Sequence, residues 1–323
     1  HEGLLSRAPA GKLPAKKVRP VLLLQAGTRD TLVLISERGR AAALPVHSLP
    51  ELENPEEGIP VRNLSAFDAD AKIAAAVSVP PDLSRAPAEG AEPGGYLLLG
   101  SQLGMVKRVA LPDLPGPAAQ TFPVMGLSDD DFLGWARLTA GQDDVVLVTA
   151  GGMAIRFRES EVRPMGLPAG GVLGIKMNRD DDWVVGLEVA RPEHDLLLLA
   201  DNGQAKRVPF KDFPTQGRYG MGVVAWKLPG NAALVGAAGG GPEDRLVALT
   251  SGGRAVHHKL GDSPVRARAS RGAALLALGP GERAQNLIPA LARPVAAAAP
   301  QKTKAAKKER ATKKPVTAPR KRG

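Results

Sequence analysis

The chain lacks cysteine, contains only 3% aromatic residues and has no long apolar run. The absence of cysteine excludes disulfides, thiolate metal sites and thiol nucleophiles, and it suits a reducing compartment. No apolar stretch approaches the roughly 18 to 20 residues that a membrane-spanning helix requires. The chain does not begin with methionine, and its first residues do not show the basic region followed by an apolar region that forms a secretory signal. We therefore expect further sequence upstream.

Turn-forming residues, in contrast, are abundant. The 323 residues include 37 Gly and 29 Pro, while 43% of the chain is apolar. This apolar content is sufficient to bury a core. So many turn formers favour short strands joined by tight turns over long helices, which predicts an all-β fold.

One short pattern occurs five times: an apolar run, a tight turn that ends in glycine, and a basic or small stretch. The glycines that mark it fall at positions 39, 104, 152, 203 and 253, at intervals of 65, 48, 51 and 50 residues. A period near 50 residues is typical of propeller-like and solenoid folds. The first interval is longer because a Pro-rich and Gly-rich stretch, residues 80–95, is inserted there as a predicted surface loop.

Each repeat is predicted to contain about four strands. In the fourth repeat an apolar run at 196–199 is followed by a strand at 206–210 and by two further strands near 222–226 and 233–237. We find no 3.6-residue periodicity of the kind that paired helices would produce. The sequence therefore predicts a propeller-like fold of about five four-stranded blades.

The predicted domain organisation has three parts. Residues 1–18 are interpreted as a linker, 19–292 as the β domain, and 293–323 as a disordered tail rich in Lys and Arg. Residues 301–323 alone carry ten basic residues and one acidic residue, whereas the rest of the chain carries 33 basic and 32 acidic residues. An electrostatic argument for a polyanionic partner must therefore depend on how the charges of the β domain are arranged.

Several strings within the repeats resemble the C-terminal domain of bacterial DNA gyrase A subunits and of the related topoisomerase IV subunit. They are the segments 156–166, which includes Ser-Glu-Val-Arg-Pro-Met-Gly, and 170–175, 203–209 and 216–223. The similarity extends over about residues 20 to 290. The gyrase motif Gln-Arg-Arg-Gly-Gly-Lys-Gly has only a relative here, at 216–222, where Tyr219 and Met221 replace a Gly and a Lys.

The resemblance implies a β-pinwheel whose basic rim wraps duplex DNA beside the cleavage core of a type II topoisomerase. It implies partners as well: double-stranded DNA, the cleavage region of the gyrase A polypeptide, and a gyrase B-type ATPase subunit. ATP and Mg²⁺ would be bound by other parts of that enzyme, with no cofactor in this chain, and the expected location is the bacterial cytoplasm, at the nucleoid. No catalytic residues are expected here.

Two other interpretations remain open at this stage. A topoisomerase IV-type domain would recruit DNA for decatenation, and a protein-interaction propeller would have no DNA function. An enzyme with its site inside the disc has no positive support, because the glycine runs match neither phosphate-binding nor dinucleotide-binding patterns.

The candidate DNA contacts are basic residues beside the repeated turns and in the loops that follow them, together with one glutamine. Such contacts would bind phosphates and hardly distinguish bases. The candidates are Arg38, Arg40, Lys107, Arg108, Arg156, Arg158, Arg163, Lys206, Arg207, Lys211, Gln216, Arg218, Arg254, His257, His258, Lys259, Arg266, Arg268 and Arg271.

Two acidic triplets, 129–131 and 180–182, are one repeat apart. They lack the spaced oxygen ligands and central glycine of a calcium loop, so we assign them to a blade face away from DNA. The histidines show no zinc-binding spacing. No metal site is predicted.

Overall fold

The computed structural model describes residues 3–9, 11–15, 17–52, 57–118 and 120–293. Its main elements are five four-stranded sheets arranged as the blades of a ring. This confirms the predicted all-β architecture. In the described residues no helix is both long enough and apolar enough to cross a membrane, and the predicted tail from residue 294 onward lies outside them.

In each blade an inner, a second and a third strand lie side by side in antiparallel pairs, and the inner strand follows the other two along the chain. The inner strands are β6 (Ile73–Val79), β10 (Leu133–Thr139), β14 (Val184–Ala190), β18 (Leu234–Gly240) and β22 (Ala284–Leu291). The second strands are β3 (Thr31–Ser36), β7 (Tyr96–Ser101), β11 (Asp144–Thr149), β15 (Asp195–Ala200) and β19 (Arg245–Thr250). The third strands are β4 (Arg40–Pro45), β8 (Met105–Ala110), β12 (Met153–Arg158), β16 (Gln204–Pro209) and β20 (Ala255–Lys259).

The repeated glycine closes the turn between the second and third strands. Gly152, for example, has a φ of +85°, and a Cβ built on it would lie 2.3 Å from the carbonyl oxygen of Trp226. Only glycine combines this left-handed backbone with so close an approach. The sequence repeat is therefore a repeat of hairpins.

Each of the first four blades receives its outer strand from the following repeat. These two-residue strands are β9 (Phe122–Pro123), β13 (Val172–Leu173), β17 (Val223–Val224) and β21 (Ala273–Ala274). They pair antiparallel with the beginning of the third strand of the preceding blade; Val224, for example, lies opposite Met153. Neighbouring blades are thus joined by hydrogen bonds as well as by packing.

The second strands are buried on both faces. Leu97 and Leu99 pack against the first blade, whereas Leu98, between them, packs against the third. All three side chains are fully buried. Burial on both faces explains why these strands appear in the sequence as continuous apolar runs and show no alternation of apolar and polar residues.

The fifth blade differs from the other four. Its fourth strand is β2 (Leu23–Leu24), which pairs in parallel with the inner strand β22. In the described residues no strand pairs with the outer edge of β20. Accordingly, a Cβ built on Gly253, the equivalent of Gly152, meets no atom within 4 Å.

The N-terminal segment, predicted as a linker, is partly incorporated into the ring. Strand β1 (Leu4–Leu5) pairs with β5 (Ile59–Pro60) of the first repeat. The Gly11 carbonyl accepts a hydrogen bond from Arg245 of the fifth blade at 2.6 Å. The expectation of a linker thus differs from the structure, because this segment contacts both the first and the last blade.

An ion pair also joins the first blade to the segment that follows the inner strand of the fifth blade. Arg293 lies 2.6 Å from Asp30, whose carboxylate also accepts a hydrogen bond from Ser78. Hydrogen bonds from Arg293, Gly27 and Ser78 hold the pKa of Asp30 below its usual value, although burial acts in the opposite direction. Residues 80–95 connect β6 and β7 without forming a strand.

Candidate nucleic-acid interface

The loops that lead into the outer strands lie along the outer edges of the third strands. We call them the first (117–121, described except for residue 119), second (164–171), third (215–222) and fourth (265–272) outer loops. Near the start of each, a backbone N–H donates to the carbonyl of the fourth residue after the repeated glycine, at 2.7 to 3.3 Å. The donors are Ala118, Met165, Gln216 and Arg266. The same rule therefore positions all four loops.

Arginines beneath these loops hold the adjoining turns. Arg156 donates to the carbonyls of Phe210 and Phe213 and forms an ion pair with Asp144 at 2.6 Å. Arg207 donates to the Ser263 carbonyl and lies 3.0 Å from Asp195. Both guanidinium groups are half-buried and paired with a carboxylate, so most of their hydrogen-bonding capacity is used within the fold.

Arg108 occupies the equivalent position in the second blade and is buried. Its guanidinium lies 3.5 Å from the Glu159 carboxylate and 4.3 Å from the centre of the Tyr96 ring. Its charge is neutralised inside the blade. This placement corrects the prediction that Arg108 contacts DNA.

Lys107 and Lys206 are the largest departure from the predicted interface, because both side chains are fully buried. The Lys206 ammonium donates to the carbonyls of Ala267, Arg268 and Ser270 in the fourth outer loop and lies over the Trp226 ring. Neither ammonium is accessible to a phosphate. These two predictions are therefore corrected as well.

Lys107 holds the second outer loop by hydrogen bonds, as Lys206 holds the fourth. Its ammonium donates to the carbonyls of Val124 and Leu167, the latter within that loop. Burial lowers the pKa of Lys107 and of Lys206 to about 8, and for Lys206 the nearby charge of Arg268 acts in the same direction. Both lysines hold a loop in place from inside.

Positive charge is concentrated in the third and fourth outer loops. The first and second outer loops contain no charged residue, the third contains Arg218, and the fourth contains Arg266, Arg268 and Arg271. Arg266 and Arg271 are exposed. In the described part of the chain neither of them takes part in a hydrogen bond or ion pair, apart from the backbone bond of Arg266. Their guanidinium groups are available to a partner.

Arg218 and Arg268 occupy equivalent positions in consecutive loops and reach back to the neighbouring outer strand. Arg268 donates to the Val224 carbonyl at 3.0 Å, and Arg218 donates to the Leu173 carbonyl. Neither guanidinium has a carboxylate partner among the described ion pairs. Each keeps its full positive charge while being fixed in direction.

Two further candidates are exposed and unpaired in the described part of the chain. Arg163 immediately precedes the second outer loop, and Lys211 lies in the 3-10 turn Phe210–Asp212 before the third. Gln216 lies half-buried within the third loop. Together with the arginines of the third and fourth loops they form a continuous set of predicted contacts.

The candidates of the first blade interact with their own surroundings. Arg38 donates to the Asp129 carbonyl and lies 4.4 Å from the centre of the Phe132 ring, while Arg40 donates to Thr121. Both side chains are exposed and lack a carboxylate partner in the described residues. The second blade separates them from the third outer loop on one side, and the fifth blade separates them from the fourth outer loop on the other.

On the third and fifth blades, several candidates lie beside carboxylates, although Arg158 shares its carboxylate with Arg156 and is not neutralised by it. Arg254 forms a pair with Glu282 at 2.6 Å, and hydrogen bonds from Arg254, Gly279 and Thr250 lower the pKa of Glu282 to about 2. Lys259 lies 2.7 Å from Glu243. Arg158 lies 3.0 Å from Asp144 in the third blade. His258 lies 3.3 Å from Asp262 and His257 is half-buried.

Comparison with known proteins identifies the family. Residues 95–133, 143–191 and 194–238 match the family model described as the DNA gyrase C-terminal domain, a beta-propeller. The chain is 33% identical over 255 residues to the DNA gyrase A subunit of Salmonella typhimurium, a match that covers 79% of this chain and 28% of that protein. The chain belongs to the DNA gyrase C-terminal domain family.

Other relatives agree with this assignment. The DNA gyrase A subunit of Mycobacterium leprae is 31% identical over 258 residues, covering 79% of this chain and 20% of the relative. The chain thus spans between a fifth and a third of the length of these gyrase proteins.

Two solved structures share the fold. The C-terminal domain of DNA topoisomerase IV superposes with a TM-score of 0.74 at 24% identity, covering 89% of this chain and 90% of the other. The DNA gyrase A C-terminal domain gives 0.67 at 20% identity, with coverages of 82% and 84%. At these identities the likeness establishes the propeller fold of this gyrase-family chain.

In this gyrase-family domain, one aspartate of each acidic triplet accepts hydrogen bonds from backbone N–H groups at a hairpin. Asp131 accepts hydrogen bonds from the backbone N–H groups of Leu103 and Phe132, and Asp182 accepts them from Gly151 and Trp183. Within the described residues no group of three acidic, histidine or cysteine side chains could hold a metal ion. The repeated aspartate is thus a structural element of the blade.

Proposed function

We propose that this chain is the DNA-binding and DNA-wrapping module of a gyrase A-type protein, and that its third and fourth outer loops are the principal contact with duplex DNA. The observation that carries the proposal is the cationic fourth loop. It presents three arginines without carboxylate partners in the described residues, on a backbone fixed by Lys206. DNA phosphates are the ligands that such a surface attracts.

The contact would be largely independent of base sequence. Arginines on loops at the edge of a disc contact phosphates along the backbone, and such contacts position a duplex without reading its bases. A duplex that follows the rim past the third and fourth loops must bend, at an elastic cost of a few kcal/mol that further ion contacts offset. Arg163 and Lys211 lie beside this path and would extend it toward the second blade.

The proposed setting follows from the family. The domain would act beside the cleavage region of its own polypeptide and with a gyrase B-type ATPase subunit, in the bacterial cytoplasm at the nucleoid. It would itself require no cofactor, since ATP and Mg²⁺ would be bound elsewhere in the holoenzyme. The alternative candidate is a topoisomerase IV-type domain that recruits DNA for decatenation.

Salt dependence of binding tests the proposal. Affinity for a 40-bp duplex of mixed sequence would be measured by fluorescence anisotropy at increasing KCl, for the full chain and for a variant that ends at Arg293. About four phosphate contacts predict a slope of log K against log salt near −3 to −4 in the shortened protein, because each contact contributes about −0.9. The slope of the full chain should be at least as steep, because residues 301–323 add ten basic residues. A shortened chain with no salt-dependent affinity would favour a protein-interaction propeller instead.

A topology assay separates wrapping from recruitment. A nicked circular plasmid would be ligated in the presence of saturating protein and then deproteinised. A wrapped complex leaves a shifted distribution of topoisomers. Tight, salt-dependent binding without any shift would instead support the topoisomerase IV-type alternative.

A further inference from the structure

Tyr219, in the third outer loop, has an unusual backbone and an exposed side chain. Its φ is +66°, which makes it the one non-glycine residue with positive φ among those the structure describes. Its side chain is 46% exposed and forms no hydrogen bond within the described part of the chain. The left-handed conformation is unfavourable for a residue with a Cβ, so the surrounding loop must impose it.

Hydrogen bonds on both sides fix this conformation. The Tyr219 N–H donates to the Gly174 carbonyl at 2.9 Å, and the Gly220 carbonyl accepts from the Lys176 N–H at 3.0 Å. The Arg218 N–H donates to the Glu161 carboxylate at 2.7 Å. The ring is therefore held outward by a rigid loop, which lowers the entropy that a partner must remove on binding.

Other exposed apolar side chains lie in the third and fourth outer loops and in the strand β17 that follows the third. Met221 and Val224 are about half exposed, as is Val265 in the fourth loop. Arg268 ties the fourth loop to the Val224 carbonyl, and Arg218 ties the third loop to the Leu173 carbonyl. Apolar and arginine side chains thus alternate across the two loops.

The charge of these loops indicates which kind of partner would cover the apolar residues. Protein interfaces are also enriched in tyrosine, methionine and arginine, so the unpaired positive charge of these loops, not their composition, points to the partner. In the described residues these two loops carry four arginine guanidinium groups without carboxylate partners, a charge that fits a polyanion. Proteins that bend DNA combine basic contacts with apolar or aromatic wedges that enter between base pairs.

We propose that Tyr219 is such a wedge: its ring inserts at a base step of the bound duplex and sets the position of a bend. This inference rests on the proposed DNA binding. The neighbouring arginines hold the phosphates on either side of the step, and Met221 contacts the opened groove. Flexible pyrimidine–purine steps would be the preferred sites, because they unstack most readily.

The test uses the full chain and a labelled DNA duplex. The duplex carries the fluorescent base 2-aminopurine beside a central TA step, and a donor and an acceptor fluorophore at its two ends. The informative variant is Tyr219→Asn, since asparagine tolerates positive φ. Tyr219→Phe is the matched control that keeps the ring, and Tyr219→Gly is a second ring-free variant that relaxes the loop.

Unstacking raises 2-aminopurine emission, and bending raises energy transfer between the ends. We expect both signals with the natural protein and with Tyr219→Phe. Both should be lost with Tyr219→Asn and Tyr219→Gly, while affinity falls only about fivefold, the lower end of the range for one aromatic–base stack. The salt slope should stay unchanged because the arginines remain.

Three results would overturn the inference. Unchanged emission and energy transfer in both ring-free variants would show that the ring does not enter the stack. A flattened salt slope in those variants would show that Tyr219 merely shapes the loop. If the natural protein fails to bind DNA at all, the proposed function fails with the inference, which distinguishes that outcome from the other two.

Discussion

The second and fourth outer loops share one architecture and differ in charge. Each begins at a hydrogen bond to a third-strand carbonyl, leads into a two-residue outer strand, and is held from inside by a buried lysine, Lys107 or Lys206. The second loop carries no charged residue, whereas the fourth carries three arginines. Two kinds of cation therefore occur in the same repeat, and they have separable tasks. The interior ammonium shapes a loop, and in the proposed function the exposed guanidinium groups determine whether that loop binds DNA.

The largest expected effect follows removal of the exposed charges from the fourth loop. We expect Arg266→Ser with Arg271→Ser to lower DNA affinity roughly 10- to 100-fold at 0.1 M salt and to flatten the salt slope by about 2, because two phosphate contacts are lost. Anisotropy titrations over a range of KCl measure both quantities.

A matched control separates local contact from net charge. Arg29→Ser with Arg85→Ser removes the same charge from exposed positions away from the outer loops, and we expect less than about a threefold loss of affinity because distant surface charges are screened. If both double variants lost affinity equally, the fourth loop would have no special part in binding.

How much of this could be predicted from the sequence is clearest from aligned repeats. The recurring glycines and apolar runs predicted the hairpins and the five blades, because both signals are local. The third residue after each glycine is Ala42, Lys107, Ile155, Lys206 or Val256. Three of these five residues are apolar, and this indicates that the position is an interior one. At Lys107 and Lys206, however, the Lys-Arg pair led to the prediction of an exposed basic surface.

The burial of Lys107 and Lys206 depends on a contact between repeats that no local pattern reveals. The carbonyls that Lys206 binds belong to a loop about 60 residues further along the chain, brought back by strand exchange. For the same reason the sequence did not show that Arg156 and Arg207 anchor the turns of the next repeat. The exposed arginines of the fourth loop, in contrast, were recognisable from the run of residues 266–271 alone.

The second prediction concerns the interior cations. We expect Lys206→Met and Lys107→Met each to lower the free energy of unfolding by about 1–3 kcal/mol, because buried carbonyls lose their donor. Urea unfolding measures this loss. Only Lys206→Met should also weaken DNA binding, since only the fourth loop presents arginines.

The two lysine variants are controls for each other. They remove the same group from equivalent positions and differ only in the loop above. Equal losses of DNA affinity in both would contradict the division between shaping and binding and would indicate a general loosening of the ring.

The smallest expected effect is on the pH dependence of stability. Folding lowers the pKa of Lys107 and Lys206 to about 8 from an ordinary value of 10.5. Between these values the unfolded chain binds more protons than the folded chain, so these two groups make the free energy of unfolding rise with pH above about 8 and leave it unchanged below about 7. The difference in unfolding free energy between the natural protein and either Lys→Met variant should therefore grow from pH 7.5 to pH 9.5. Urea titrations at the two pH values measure it, and the contribution of other titrating groups cancels in the difference. A difference that stays constant would mean that the ammonium groups keep their ordinary pKa inside the blades, and hence that water reaches them beneath the loops they hold.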